Sequence, residues 1–244
     1  MRIFMTGASR SLGQHVYEAL QVDGHQVYGV GLGGPDWEID LLKIKHRDAG
    51  RLLDEAALVL DGYPQTLINS AGITSMQYIE HHDPEADWAK VIQLDLTVPY
   101  WFAQHFVKHY ARGEGDRTGV PRVVNIASMA HRLAMRTSTA YNVAKAGLVM
   151  LTKQMAKECL GRSGVLHFAV SPNSVGGTTM AEQAIQSLMD LRGMTREAAE
   201  KYNAQAPAGR PCTKAEVYEC IRWGIEQAPE YCTGINLELP GGMA

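Results

Sequence analysis

The residues Arg2-Ile-Phe-Met-Thr-Gly-Ala-Ser-Arg-Ser-Leu-Gly13 place an apolar run, a polar turn bounded by glycines and the start of a helical pattern in direct succession. Leu12, Val16, Ala19 and Leu20 recur at helical spacing, and Asp23-Gly24 ends the segment. A glycine-rich turn between a strand and a helix lets backbone N–H groups and the positive helix end face a pyrophosphate. Gly7, Ser9, Arg10, Ser11, Leu12 and Gly13 are therefore candidates for holding a dinucleotide. An ordinary strand-to-helix turn suits the same residues, so the decision lies further along the chain.

Outward from this turn, short apolar runs alternate with longer helical patterns, the mark of a parallel sheet built from βαβ units. Strands are expected over 2–6, 26–32, 37–41, 66–72, 122–128, 165–172 and 234–240, and helices over 84–111, 139–160 and 214–227. The stretch 112–121 reads as surface loop, and 176–210 as helical patches with no strand. No repeat or linker divides the series, so 1–244 is expected to be a single domain.

The bulk composition narrows the class of function. With 45% hydrophobic and 20% charged residues the chain is of the globular kind, and a net charge of −3 gives no basic excess for nucleic acid or an anionic membrane. Neither is an expected partner. Cys159, Cys212, Cys220 and Cys232 form no C-x-x-C pair, so no metal site and no disulfide framework is expected. Without a signal-peptide core or an apolar run of membrane-spanning length, the expected location is the cytoplasm.

The residues that carry chemistry lie in the second half. Tyr141 and Lys145 stand four apart on a helical segment, on one face and about 6 Å apart at Cβ. An ammonium near a phenol favours phenolate, which brings a group that titrates near ~10 toward neutral pH. Ser128 ends the fifth strand thirteen residues earlier, at the carboxyl edge where open α/β sheets bind ligands.

Thr6-Gly7 with Gly13, Asn69-Ser70-Ala71-Gly72, Ser128, and Tyr141 with Lys145 together resemble the short-chain dehydrogenase/reductase family over nearly the whole chain. The resemblance implies a Rossmann-type three-layer sandwich, a seven-stranded parallel sheet of order 3-2-1-4-5-6-7 with helices on both faces. It also implies an NAD(P)-dependent oxidoreductase that interconverts a ketone and a secondary alcohol, working as a homotetramer or homodimer. Tyr141 would be the general acid or base, Ser128 would hydrogen-bond the reacting oxygen, and Lys145, together with Tyr141, would bind the cofactor at the nicotinamide ribose. Asn69, Ser70, Ala71 and Gly72 would line the adenosine side, with Asp40 and Leu41 near the adenine and Pro172 and Val175 near the nicotinamide. The second strand ends in Gly31-Leu32-Gly33 without a carboxylate, and Arg10 could meet a 2′-phosphate, which favours NADP over NAD. Asp36 could still reach back to a ribose.

Four positions depart from the family pattern: Ser11 and Asn173 replace glycines, Asp95 replaces the asparagine of the catalytic set, and Gly177 replaces a threonine, with Thr178 one step on. Asn173 is expected to keep the turn because asparagine tolerates positive φ. Asp95 would add a negative charge near Lys145 and alter the pH profile. These departures keep a second reading open, a nucleotide-sensing or regulatory protein of weak or no activity. A lyase of the same fold is a third, against which Lys145 speaks. The substrate wall is expected from Ser128, Met129, His131, Arg132, Met135, Arg136, Tyr141 and Met180, with about 176–206 as a lid. Methionines suit adaptable apolar contacts, whereas the arginines and His131 suit a carboxylate, phosphate or sulfonate.

Overall fold

The computed structural model describes residues 1–115 and 118–243. Seven parallel strands form one sheet in the order β3-β2-β1-β4-β5-β6-β7: β1 (Arg2–Thr6), β2 (Gln26–Gly31), β3 (Trp37–Glu38), β4 (Thr66–Asn69), β5 (Arg122–Ile126), β6 (Leu166–Pro172) and β7 (Asn236–Leu239). The helices are α1 (Ser11–Val22), α2 (His46–Val59), α3 (Lys90–Ile92), α4 (Val98–Ala111), α5 (Thr139–Cys159), α6 (Thr179–Arg192), α7 (Arg196–Asn203) and α8 (Lys214–Arg222). This is the Rossmann-type sandwich and strand order that the sequence resemblance implies.

Strand alternation divides the core between two faces of the sheet. Phe4 of β1 and Leu67 of β4 pack with Leu52 and Leu53 of α2 and with Phe102 and Phe106 of α4. Ile3, Met5 and Ile68 point the other way, onto Val16 and Leu20 of α1 and Val217 and Ile221 of α8. Both faces are covered, which is why β1, β4, β5 and β6 are mostly apolar at their centres.

Several elements differ from expectation, β4 ending at Asn69 rather than 72 among them. β3 stops at Glu38 rather than 41, because the Asp40 carboxylate accepts from the Leu42 amide at 3.0 Å and turns the chain. α2 carried no expected element, yet Ala49, Leu52, Leu53 and Ala56 give it a buried stripe. The helical run 84–111 contains two π-type turns, Pro84–Ala89 and Gln93–Thr97, the second of which carries Asp95. Positions 116 and 117 of the loop expected over 112–121 lie outside the described residues.

Candidate active site

The carboxyl ends of β1, β4, β5 and β6 open onto one cavity of about 670 Å³. Its first wall is the turn after β1. Gly7 has φ 74, and a Cβ there would stand 2.6 Å from the Cα and amide nitrogen of Ala71. A Cβ on Gly13 would fall 1.8 Å from the Gly7 carbonyl oxygen, so α1 reaches the turn only without a side chain there. Thr6 Oγ1 accepts from the amides of Ser70 and Ala71 at 3.2 and 3.3 Å and joins this turn to the one after β4. Arg10 is the N-cap of α1 and provides no side-chain cap, which leaves first-turn N–H groups for an anion. The cradle is built on glycines that a Cβ would fill and on uncapped donors, and it fits a dinucleotide pyrophosphate.

Ser11 occupies this turn with φ 55, a conformation in which a non-glycine residue is uncommon. Its Oγ accepts from the Thr179 amide at 3.0 Å and pairs with the Thr179 hydroxyl at 2.8 Å. The Ser11 side chain is thus fastened to the first residue of α6. Thr178, one step earlier, caps α6 by accepting from the Ala181 amide at 3.1 Å and donates to the Val175 carbonyl at 2.9 Å. Thr178 is thus the helix cap of α6.

The second wall carries the titratable cluster. Ser128 follows β5, and its Oγ accepts from the Ala130 amide at 3.1 Å. α5 presents Tyr141 and Lys145 on its buried face, with the Lys145 ammonium 5.5 Å from the centre of the Tyr141 ring. Lys145 Nζ donates to the Ile126 carbonyl at 3.0 Å and forms an ion pair with Asp95 Oδ2 at 3.1 Å. The other Asp95 oxygen accepts from the Ile73 amide at 2.8 Å. Asp95 is fully buried and stands behind the cavity wall.

Burial pushes the Tyr141 phenol above its ordinary value; the Lys145 ammonium pulls it down, Asp95 pushes it up, and a hydrogen bond with Ser128 pulls it down, leaving it raised. Burial alone would lower Lys145, but the Asp95 carboxylate and then Tyr141 hold it above the usual lysine range. Burial pushes the Asp95 carboxyl up against the pull of Lys145 and the Ile73 amide. With an ammonium on one oxygen and an amide donor on the other, the ionised pair is the state this geometry favours.

Of the sequence-expected residues, Gly7, Ser9, Arg10, Ser11, Leu12, Gly13, Asp40, Leu41, Ser70, Ala71, Gly72, Pro172 and Val175 line one side of the cavity. Ser128, Met129, Met135, Arg136, Tyr141, Lys145 and Met180 line it on the other. Asn69 does not: its amide donates to Asn125 Oδ1 at 2.8 Å, beneath the sheet edge. Asp36 is also turned away, since its Oδ2 accepts from the Gly29 amide at 2.7 Å and from the Tyr17 hydroxyl at 3.0 Å. His131 and Arg132 lie off the cavity too, drawn by Glu238 of β7 at 3.1 and 3.0 Å. Asn173 does not use positive φ, because its amide donates to the Leu239 carbonyl at 3.2 Å and continues the pairing with β7.

Sequence reasoning missed Asn142, whose amide donates to the carbonyls of Ala130 and Leu133 at 2.7 and 2.6 Å and pins the loop after Ser128 to α5. It also missed Arg192 of α6 and Tyr202 of α7. Asn142 was within reach of sequence, being adjacent to Tyr141. Arg192 and Tyr202 carried no local signal.

A family model described as enoyl-(acyl carrier protein) reductase matches residues 45–244. The chain is similar to (3R)-3-hydroxyacyl-CoA dehydrogenase of Mus musculus, with 26% identity over 98% of this chain and 94% of that one. It is similar to 3-oxoacyl-(acyl-carrier-protein) reductase of Aquifex aeolicus, with 25% identity over 98% of this chain and 95% of that one. In structure it resembles the ligand-free aldohexose dehydrogenase of Thermoplasma acidophilum, at TM-score 0.84 and 21% identity over 99% of this chain and 92% of that one. The family match runs from α2 through the serine, tyrosine and lysine to the closing strand, and the chain belongs to the short-chain dehydrogenase/reductase family, oxidoreductases that act on CH–OH groups with NAD(P).

Proposed function

We propose that the protein interconverts a small ketone and its secondary alcohol. The observation that carries this reading is the convergence of Ser128, Tyr141 and Lys145 on one cavity beside the glycine cradle. When bound, the nicotinamide supplies or accepts the hydride. In the reducing direction Tyr141 Oη passes its proton to the carbonyl oxygen, and in the oxidising direction it takes the hydroxyl proton back. Ser128, held by the Ala130 amide, directs its own hydroxyl hydrogen toward the same oxygen. Lys145 fixes the geometry of Tyr141 and reaches the ribose side. α6 and α7 close the cavity as a lid and exclude water.

NADP is preferred over NAD in this reading. Arg10 lines the cavity, and no carboxylate at the end of β2 repels a 2′-phosphate once Asp36 is tied to Gly29 and Tyr17. The proposed setting is the cytoplasm. A homotetramer or homodimer is proposed from the exposed Tyr100 on α4 and the exposed Val143 and Met150 on α5. One observation favours the alternative of a weakly active nucleotide sensor: the Asp95–Lys145 pair spends part of the charge that would ionise Tyr141.

The test is turnover of a panel of ketones and secondary alcohols by wild type and Tyr141→Phe, followed at the reduced nicotinamide absorbance. Wild-type turnover that falls by about a hundredfold or more in the variant supports the dehydrogenase. Tight nucleotide binding without turnover supports the sensor, and no nucleotide binding sinks both.

A further inference from the structure

The cavity wall is unbalanced in charge. Its carboxylate is Asp40, already engaged by the Leu42 amide and, at 3.4 Å, by Lys43. Its cations are Arg10, Arg136, Lys145 and Arg192, in a chain whose net charge is −3. Lys145 is balanced by Asp95 from behind, and Arg10 sits at the phosphate turn. Arg136 and Arg192 remain, one on the loop between Ser128 and Tyr141, the other at the end of α6.

Neither makes an ion pair or a side-chain hydrogen bond with the described residues, although carboxylates are close by in the chain. Arg196, four residues beyond Arg192, takes both Glu182 at 2.7 Å and Glu200 at 2.8 Å, and Arg132, four before Arg136, takes Glu238 at 3.0 Å. Arg192 is instead held over the face of Tyr202, its guanidinium carbon 4.7 Å from the ring centre, and both residues line the cavity. Stacking fixes the plane of a guanidinium while leaving its N–H donors free. Met135, Met180 and Leu188 supply apolar wall around them.

We infer that the substrate is a ketone or secondary alcohol with an anionic end group, a carboxylate or a phosphate monoester, joined to the reacting carbon by an apolar segment. Arg192, oriented by Tyr202, and Arg136 receive the anion, while the apolar segment lies along the methionine wall. This rests on the dehydrogenase reading for the reacting carbon, but not for the anion site itself.

The test uses matched probes: 5-oxohexanoate, its methyl ester and 5-oxohexyl phosphate, each reduced with NADPH by wild type, Arg192→Gln and Arg136→Gln. The expected ratio of kcat/KM between an anionic ketone and the ester is roughly ten- to a hundredfold in wild type, carried mainly by KM. In Arg192→Gln that ratio should collapse toward one. The preferred anion shows which end group the site takes. A second arm measures binding of unreactive hexanoate and hexyl phosphate by calorimetry in saturating NADP, for wild type and both variants. An ester as good a substrate as the acid, or anion binding indifferent to Arg192→Gln and Arg136→Gln, overturns the inference. Absence of turnover on every ketone, with anion binding weakened by those substitutions, instead overturns the dehydrogenase reading and leaves the anion site standing.

Discussion

A carboxylate 3.1 Å from Lys145 changes what the lysine can do for Tyr141. An unopposed buried ammonium would drain charge from the phenol, whereas the pair is nearly neutral at a distance and leaves burial to dominate. The raised phenol suits proton donation, the role needed for carbonyl reduction. The sign for Asp95→Asn follows: with Lys145 unopposed, Tyr141 ionises at lower pH. Alcohol oxidation, which needs phenolate, should then gain roughly tenfold near pH 8, and its rising limb should move to lower pH. The same change leaves a buried ammonium without its counter-charge, at a cost of about 3 kcal/mol in stability. An unaltered pH–rate profile would show that Asp95 does not govern Tyr141.

Ser11 is the other residue whose identity matters by itself. Its left-handed backbone costs about 1 kcal/mol, and its two contacts with Thr179 return a similar amount. Ser11→Gly should therefore leave the unfolding midpoint nearly unchanged while freeing the start of α6. Hydrogen exchange at the Thr179 amide is the measurement, with protection expected to fall about fivefold or more. Protection equal to wild type would mean that the Ser11 contact does not hold the start of α6.

At the scale of elements, β6 buries a titratable ring in the sheet. Leu166, Phe168 and Val170 face α8, so His167 faces the α5 side, where it is fully buried with neither ring nitrogen bonded within the described residues. Burial drives its pKa from 6.5 down to about 3. The folded chain thus holds His167 neutral, and the stability this preserves is complete above the unfolded value of 6.5 and is lost as pH falls toward 3. The loss should reach about 2 kcal/mol at pH 5. His167→Phe should flatten that acid limb in denaturant melts at pH 7 and pH 5; an equally steep limb in the variant would place the sensitivity elsewhere.

Buried strands of this kind were readable because a parallel sheet covered on both faces favours apolar residues, and the centres of β1, β4, β5 and β6 are mostly apolar despite buried Asn125 and His167. α2 escaped notice because its stripe of two alanines and two leucines is weak beside its charged positions. The site divided along the same line. Ser128, Tyr141 and Lys145 were legible because one strand end and one helical turn set their spacing. His131 and Arg132 were misjudged because Glu238, more than a hundred residues away in sequence, decides where they point.

For the whole molecule, the cavity matters as a junction. Its wall takes residues from Gly7 to Met243, so a nucleotide in it would bridge the β1 turn, the β4 and β5 ends, α6 and α7 at once. A ligand that binds only the folded chain stabilises it by mass action, about 2.7 kcal/mol at a hundred times its Kd. For a chain of 244 residues this raises the unfolding midpoint by about 5–10 °C. NADPH should give a larger rise than NADH at equal concentration if Arg10 takes the 2′-phosphate, and Arg10→Ala should bring the two together. Tyr141→Phe should keep most of the rise, since the backbone donors of the β1 turn and Lys145 remain to hold the nucleotide. Scanning calorimetry beside the turnover assay therefore separates binding from chemistry: a dehydrogenase gives a variant that is stabilised but inert, whereas a sensor gives a wild type that already behaves that way.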